Sequence, residues 1–410
     1  MKEYNLIQLD NGIRVLLHFQ KSVITHSCIV VNTGSRHEKE GKFGMAHFIE
    51  HLVFKRTEKR STNQILNRLE QVGGDLNAYT TKEYTCLHAS FLNPYLERAL
   101  DLFEDVLFHS TFPETEIEKE RGVILDEIAS YLDSPEESIM DDFEDLLFQG
   151  SGLGHNILGV EDDLKSITKS DIIQFMEETY NTSEIVIAIS GDYTLAQVKR
   201  QAERIFGKIK ANILPPPVQV VPAVANINEV IEKPINQAHY MLGGQAFGVY
   251  DERRTALLLL NNMLGGYGMS SILNLGIREK YGIAYTIESN FTMYKDTGSI
   301  SIYLGTDEEK LDRAVSLVFK ELNKLKSAPI SAYQLTRAKQ KFKGQIALAE
   351  ESRMSMIIAE AKNIIDYGRV ISLNDVVSSI DKVQADDLFE LSTLFFADDR
   401  LVSLKFVPEK

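Results

Sequence analysis

The sequence is short of cysteine, of positive charge and of long apolar runs. Its two cysteines, Cys28 and Cys86, both sit inside apolar stretches. They read as reduced core residues, so neither a disulfide framework nor a cysteine metal site is expected. Lys and Arg number 44 against 59 Asp and Glu, a net charge of −15. That balance argues against a nucleic-acid backbone or an anionic membrane as partner. No apolar run reaches the ~20 residues that cross a bilayer. No charged-then-apolar leader and no Arg/Ser-rich transit segment opens the chain, which gives an expectation of cytoplasmic residence. G-x-S-x-G, P-loop and G-x-G-x-x-G signatures are also missing, so serine-hydrolase and nucleotide chemistry find no foothold.

What is there is a 410-residue chain with 44% hydrophobic and 25% charged residues. This is the balance of a soluble globular protein too long for one core. An Asn11-Gly12 turn between alternating runs reads as a hairpin. Strands and helices then alternate as far as Leu214-Pro215-Pro216-Pro217, with a further proline at 222. This proline-rich stretch, 214–226, is the best linker candidate and lies close to the midpoint. The expected domains are therefore 1–213 and 227–410. The second half repeats the first in outline: strands, an apolar helix at Glu252–Leu264, two paired strands, helices and a last strand. The element order points to an α+β fold built from two tandem, similar units.

One stretch stands out, Gly44-Met-Ala-His47-Phe-Ile-Glu50-His51-Leu-Val-Phe-Lys55. On a helix, Glu50 falls about 60° to one side of His47 and His51 about 40° to the other. The remaining positions are apolar, and a helix apolar nearly all round is buried. A polar stripe on such a helix needs partners, water or a metal. Two histidines at i, i+4 with a carboxylate on the same face suit a zinc peptidase, in the inverted order H-x-x-E-H. A hydrogen-bonded core cluster is the bland alternative. A second oddity lies on the helix that Pro113-Glu114 opens. Its apolar stripe is Ile117, Ile124, Ile128 and Tyr131, yet Glu120 and Glu127 fall in or beside it. Carboxylates pointed inward need a cation or good hydrogen bonds. The acids Asp141, Asp142, Glu144 and Asp145 read as a solvated helix face or, less simply, as a site for calcium or a basic peptide.

His47-Phe-Ile-Glu50-His51 followed, after 75 intervening residues, by Glu127 resembles the pitrilysin-like M16 metallopeptidases, the inverzincins. The resemblance implies one Zn2+ per chain held by His47, His51 and Glu127. It further implies Glu50 as general base and Glu120 as a supporting carboxylate. Gly73-Gly74-Asp-Leu-Asn77-Ala78-Tyr79-Thr80 resembles the family's edge strand, on which an extended peptide substrate pairs. Arg278 and Tyr285, seven residues apart, match a segment that in the family reaches the zinc from the opposite half. Tyr285 would then stabilise the oxyanion and Arg278 would hold substrate. Arg56 stands where glycine is common, and Ile272 where arginine is usual. The activity implied is zinc-dependent endopeptidase hydrolysis of unfolded peptides in an enclosed chamber. A two-unit chain resembles the short branch that includes mitochondrial processing peptidase subunits, whose members pair as homodimers or with an M16-like partner. A non-catalytic peptide- or partner-binding subunit, or a peptidase of cofactor or peptide maturation, is the alternative within the same superfamily.

Overall fold

The computed structural model describes residues 4–214 and 220–409. Pro215, Pro216 and Pro217 of the expected linker lie outside the described residues. The chain opens with β1 (Tyr4–Gln8) and β2 (Arg14–Phe19), antiparallel across the Asn11-Gly12 turn, where Gly12 has φ 96°. There follow β3 (Ile24–Val31), α1 (Met45–Leu52), α2 (Thr62–Glu70), β4 (Asp75–Thr80), β5 (Thr85–Leu92), α3 (Leu96–Phe108) and α4 (Glu114–Leu132). Next come α5 (Pro135–Leu147), α6 (Glu161–Ser166), α7 (Lys169–Thr179), β6 (Ile185–Gly191) and α8 (Leu195–Phe206). The second half runs β7 (Asn228–Lys233), β8 (Ala238–Ala246), α9 (Arg254–Leu264), a π-helical stretch Asn274–Glu279, β9 (Thr286–Met293) and β10 (Gly298–Thr306). It closes with α10 (Leu311–Ser327), α11 (Ala332–Ala349), α12 (Arg353–Tyr367), α13 (Leu373–Lys382), α14 (Ala385–Phe395) and β11 (Val402–Pro408).

Each half carries one sheet. The first has the order β1-β2-β6-β3-β5-β4 and the second β7-β11-β8-β10-β9. In each, one pair is parallel, β2 with β6 and β7 with β11, and the others are antiparallel. Without β1, which has no counterpart, the two orders are the same. The fold is mixed α and β, with the tandem similarity that the element order implies.

The compact units do not follow the contiguous halves 1–213 and 227–410. One comprises Met1–Ile128, Asn156–Gln219 and Ala349–Ile371; the other Ala129–His155, Val220–Leu348 and Ser372–Lys410. The reason is the two-sidedness of a sheet. In the first unit, helices of the N-terminal half cover one face of the sheet, packing on Val15, Leu17, Ile29, Leu87 and Ile187. The other face presents Leu16, Cys28, Val30, Cys86, Val186 and Ala188, and α12 covers it with Ile357, Ala361 and Ile364. Each of these valine, leucine and isoleucine side chains contributes roughly 1.5–3 kcal/mol when removed from water. In the second unit α5 does the same, laying Ile139, Phe143 and Leu147 against Met241, Tyr303, Leu404 and Phe406. Sequence patterning places helices from Ser331 to Glu351 and on through 366. The structure separates them after Ala349, and this break lets α12 join the first sheet. Helices α13 and α14 do not emerge from the sequence pattern. Cys28 and Cys86 are buried free thiols, as expected.

Candidate metal centre

Helix α1 follows directly from its sequence. Met45, Ala46, Phe48, Ile49 and Leu52 are buried in the first core, leaving His47, Glu50 and His51 half-buried on the remaining side. Gly44 opens the helix with φ 92°, a conformation that favours glycine. A Cβ there would also stand 2.7 Å from the Leu158 carbonyl oxygen. The first turn is capped from a distance. The buried Glu38 carboxylate accepts from Gly44 N and Ala46 N, each at 2.8 Å. A carboxylate at this end satisfies orphan N–H groups and complements the helix dipole.

Helix α4 brings the third candidate ligand. Its Ile117 and Ile124 are buried, and Arg121 lies over the Phe48 ring of α1 and donates to the Ile167 carbonyl at 3.0 Å. Glu127 Oε2 consequently stands 3.8 Å from His47 Nε2 and 3.7 Å from His51 Nε2. The ligand atoms of His47, His51 and Glu127 all lie within 4.8 Å of one another. Zinc–ligand bonds of ~2.0–2.1 Å in a tetrahedron set neighbouring ligand atoms about 3.4 Å apart. The gap is too wide for direct hydrogen bonds and close to what an ion between them requires. Two imidazoles and one carboxylate are also a suitable donor set for zinc, with a fourth position left open. The residues present therefore fit the ion.

Glu120 is buried, as its place beside the apolar stripe suggests, whereas the Glu127 side chain is 43% exposed. Glu120 Oε2 lies 3.2 Å from His51 Nδ1, and Lys55 Nζ 2.7 Å from the other carboxylate oxygen. This bond orients the His51 ring with Nε2 toward Glu127. His47 Nδ1 is buried and has no hydrogen-bond partner among the described residues. Burial, with His51 close by, pulls the His47 imidazole down to about 4, so it is neutral and able to donate its lone pair. The Glu50 carboxyl is pushed up by burial and by Glu127. Thr80 and His51 act against that rise.

Among the described residues, the edge strand β4 pairs only with β5, and it lies beside α1. Its outer edge is the kind on which an extended peptide can add a strand. The four residues that the resemblance marks for substrate divide between its faces. Ala78 packs into the core that holds α1, and the Thr80 hydroxyl donates to Glu50 Oε2 at 2.6 Å. Tyr79 points to the opposite face, where it meets the Tyr84 ring edge-on with the hydroxyls 3.4 Å apart. Its side chain is thus turned away from the histidines, because successive strand residues alternate. Asn77 shares the Tyr79 side by the same alternation and is exposed.

Arg278 and Tyr285 belong to the second unit. Arg278 is half-buried in the π-helical stretch. Tyr285 is 53% exposed and donates its hydroxyl to Asp307 at 2.7 Å. The acidic cluster resolves into structural contacts: the Tyr131 hydroxyl reaches Asp141 at 2.5 Å, that of Tyr294 reaches Glu144, and Lys233 lies 3.5 Å from Asp142. Lys55 and Glu38 escape sequence reasoning. Lys55 follows the helix in a turn, and Glu38 lies too far ahead of Gly44 to show a local capping pattern. Among the described residues, no helix is long and apolar enough to cross a membrane.

Comparison with known proteins identifies the family. The profile of the insulinase family, peptidase family M16, matches residues 14–161, and that of the peptidase M16 inactive domain residues 166–342. The uncharacterized zinc protease YmxG of Bacillus subtilis is 33% identical over 396 residues, covering 96% of each chain. A probable mitochondrial-processing peptidase subunit beta of Arabidopsis thaliana is 29% identical, over 97% of this chain and 77% of its own. Among solved structures, a protease from Helicobacter pylori superimposes with a TM-score of 0.91 at 23% identity, covering 99% of both chains.

Proposed function

The chain belongs to the M16 peptidase family, and on that premise we propose that it is a zinc-dependent endopeptidase acting on extended, unfolded peptides. The observation that carries the reading is the convergence of His47, His51 and Glu127 from two helices, with Glu50 beside them. His47, His51 and Glu127 would hold zinc, one ion per chain, which would supply a Lewis acid for the peptide carbonyl and lower the pKa of a water molecule toward neutrality.

The protein's own groups do the rest. Glu50 takes the proton of the attacking water and returns it to the leaving amine. Its raised proton affinity, set by burial, suits that exchange better than an ordinary surface carboxylate. Thr80 fixes the Glu50 carboxylate through one oxygen and leaves the other for the water. Glu120 holds the His51 ring. The backbone of β4 offers the peptide an edge to pair with, so the strand that aligns substrate also carries the hydroxyl that sets the base. Arg278 and Tyr285 enter the same proposal in the roles the family implies, substrate holding and oxyanion stabilisation. Tyr285→Phe tests the latter, with hydrolysis falling and zinc affinity unchanged. Pairing with a second M16-like chain, identical or not, completes the reading and explains a preference for unfolded substrates.

The direct test is cleavage of a quenched peptide library by the purified protein. Cleavage is expected, abolished by a chelator and restored by zinc. A protein that binds zinc and cleaves no member would instead act as a peptide- or partner-binding subunit.

A further inference from the structure

We propose that Lys55 is a positioning residue for the metal ligand His51, acting through Glu120. The inference rests on the zinc reading of the site. Lys55 Nζ lies 2.7 Å from Glu120 Oε1, and Glu120 Oε2 lies 3.2 Å from His51 Nδ1. The three groups are linked in sequence by these contacts: ammonium, carboxylate, imidazole. Glu120 is only 7% exposed, so water cannot replace a lost partner freely.

The backbone around Lys55 is pinned on both sides. Its N–H donates to Leu52 O at 3.0 Å, and its carbonyl accepts from the Thr62 hydroxyl at 2.5 Å. The residue sits in the turn just after α1, where the chain leaves the helix axis and can direct a long side chain back at α4. Lysine is thus held where it can counter a buried carboxylate, and this arrangement is costly to break from one side.

The consequence reaches the metal through geometry. With one oxygen fixed by Lys55, Glu120 can face His51 only with the other. Accepting from Nδ1–H then selects the tautomer whose Nε2 lone pair points toward Glu127. Without the ammonium, the carboxylate is free to rotate or withdraw, and the ring loses its orientation. Such outer partners typically change metal affinity about 10- to 100-fold.

The test compares Lys55→Met, Lys55→Arg, Glu120→Gln and the double variant Lys55→Met/Glu120→Gln. Zinc affinity is read by competition with a chromophoric chelator, and the melting temperature of the zinc-free protein by circular dichroism. Lys55→Met is expected to weaken zinc at least tenfold, with Lys55→Arg within about threefold of wild type. In the Glu120→Gln background the Lys55→Met change should add less than twofold, because the relay is already cut. Zinc affinity within twofold of wild type in Lys55→Met overturns the proposal. So do fully additive effects, or a loss that follows the melting temperature alone. If Lys55→Met does not fold, Lys55→Gln takes its place against the same Lys55→Arg control. Wild-type protein that fails to bind zinc would overturn the zinc reading itself, a result distinct from tight binding by every Lys55 variant.

Discussion

Helices α1 and α9 occupy the same place in their two sheets and use it differently. Each follows its unit's central strand, β3 or β8, and each lies beside an edge strand, β4 or β9. The buried positions Met45, Ala46, Phe48 and Ile49 find the same spacing in Ala256, Leu257, Leu259 and Leu260. On that match His47 corresponds to Leu258, Glu50 to Asn261 and His51 to Asn262. The second α-helix after the paired strands, β4 with β5 or β9 with β10, differs in the same sense, with Glu127 on α4 and Gln345 on α11. In the first unit His51 and Glu127 stand 3.7 Å apart, a gap that suits an ion. In the second, Asn262 donates directly to Gln345 at 2.8 Å. Even the edge-strand hydroxyl recurs: Thr80 donates to Glu50, and Ser289 to Asn261 Oδ1 at 2.7 Å. The scaffold is therefore neutral toward function. Neutral amides close the position with hydrogen bonds, whereas two imidazoles and a carboxylate leave it open and in need of a cation.

Placing second-unit character into the first should abolish function step by step. The largest effect is expected for Glu50→Gln, which removes the base and keeps the shape. Hydrolysis should fall about a thousandfold with zinc still bound, measured by peptide cleavage beside metal analysis. Full activity would sink the assignment. Glu127→Gln copies Gln345. Zinc affinity should fall by more than about a hundredfold, beyond the loss typical of an outer partner. Retention of tight zinc would show that Glu127 is no ligand.

The third effect concerns pH. Folding lowers the His47 imidazole from 6.5 to about 4, so the unfolded chain takes up a proton there before the folded one does. In zinc-free protein this stability is fully present above pH 6.5. It should be lost as pH falls from 6.5 toward 4, by roughly 3 kcal/mol in all. Urea unfolding across that range measures it. His47→Leu, which copies Leu258, should flatten this part of the profile. An unchanged slope would place the titration elsewhere.

Smaller still is Thr80→Val, which removes the hydroxyl and keeps the branched shape. A drop in kcat of about tenfold, the worth of ~1.4 kcal/mol, is expected with zinc affinity intact and Thr80→Ser near wild type. Equal loss in the serine variant would mean that packing, not the hydroxyl, matters. The smallest effect belongs to the second unit. Asn262→Ala should cost about 1–2 kcal/mol of stability by chemical unfolding and leave zinc affinity untouched.

Much of the site was legible in the sequence because helical spacing is a local property. His47, Glu50 and His51 share a face whatever surrounds them, and Glu120 and Glu127 stand out as acids against an apolar stripe. Long-range partners were not legible. Lys55 meets Glu120 across 65 residues of sequence, and Glu38 reaches Gly44 from outside any capping pattern. Tyr79 illustrates a different limit. The family resemblance marks it for substrate, yet strand alternation sends its ring to the face that α12 covers.

The sequence by itself determined which donor atoms share a face, those of His47, Glu50 and His51 on one helix and of Glu120 and Glu127 on another, and that two similar units were present. Their zinc and base roles come from the family resemblance. Only the tertiary structure decided how far apart those atoms stand, which side of β4 faces the base, and that α12 covers the first sheet while α5 covers the second. The physical reason is the same throughout. Periodicity fixes which residues share a face within one element, whereas distances between elements are set by core packing, and that is a property of the folded chain as a whole.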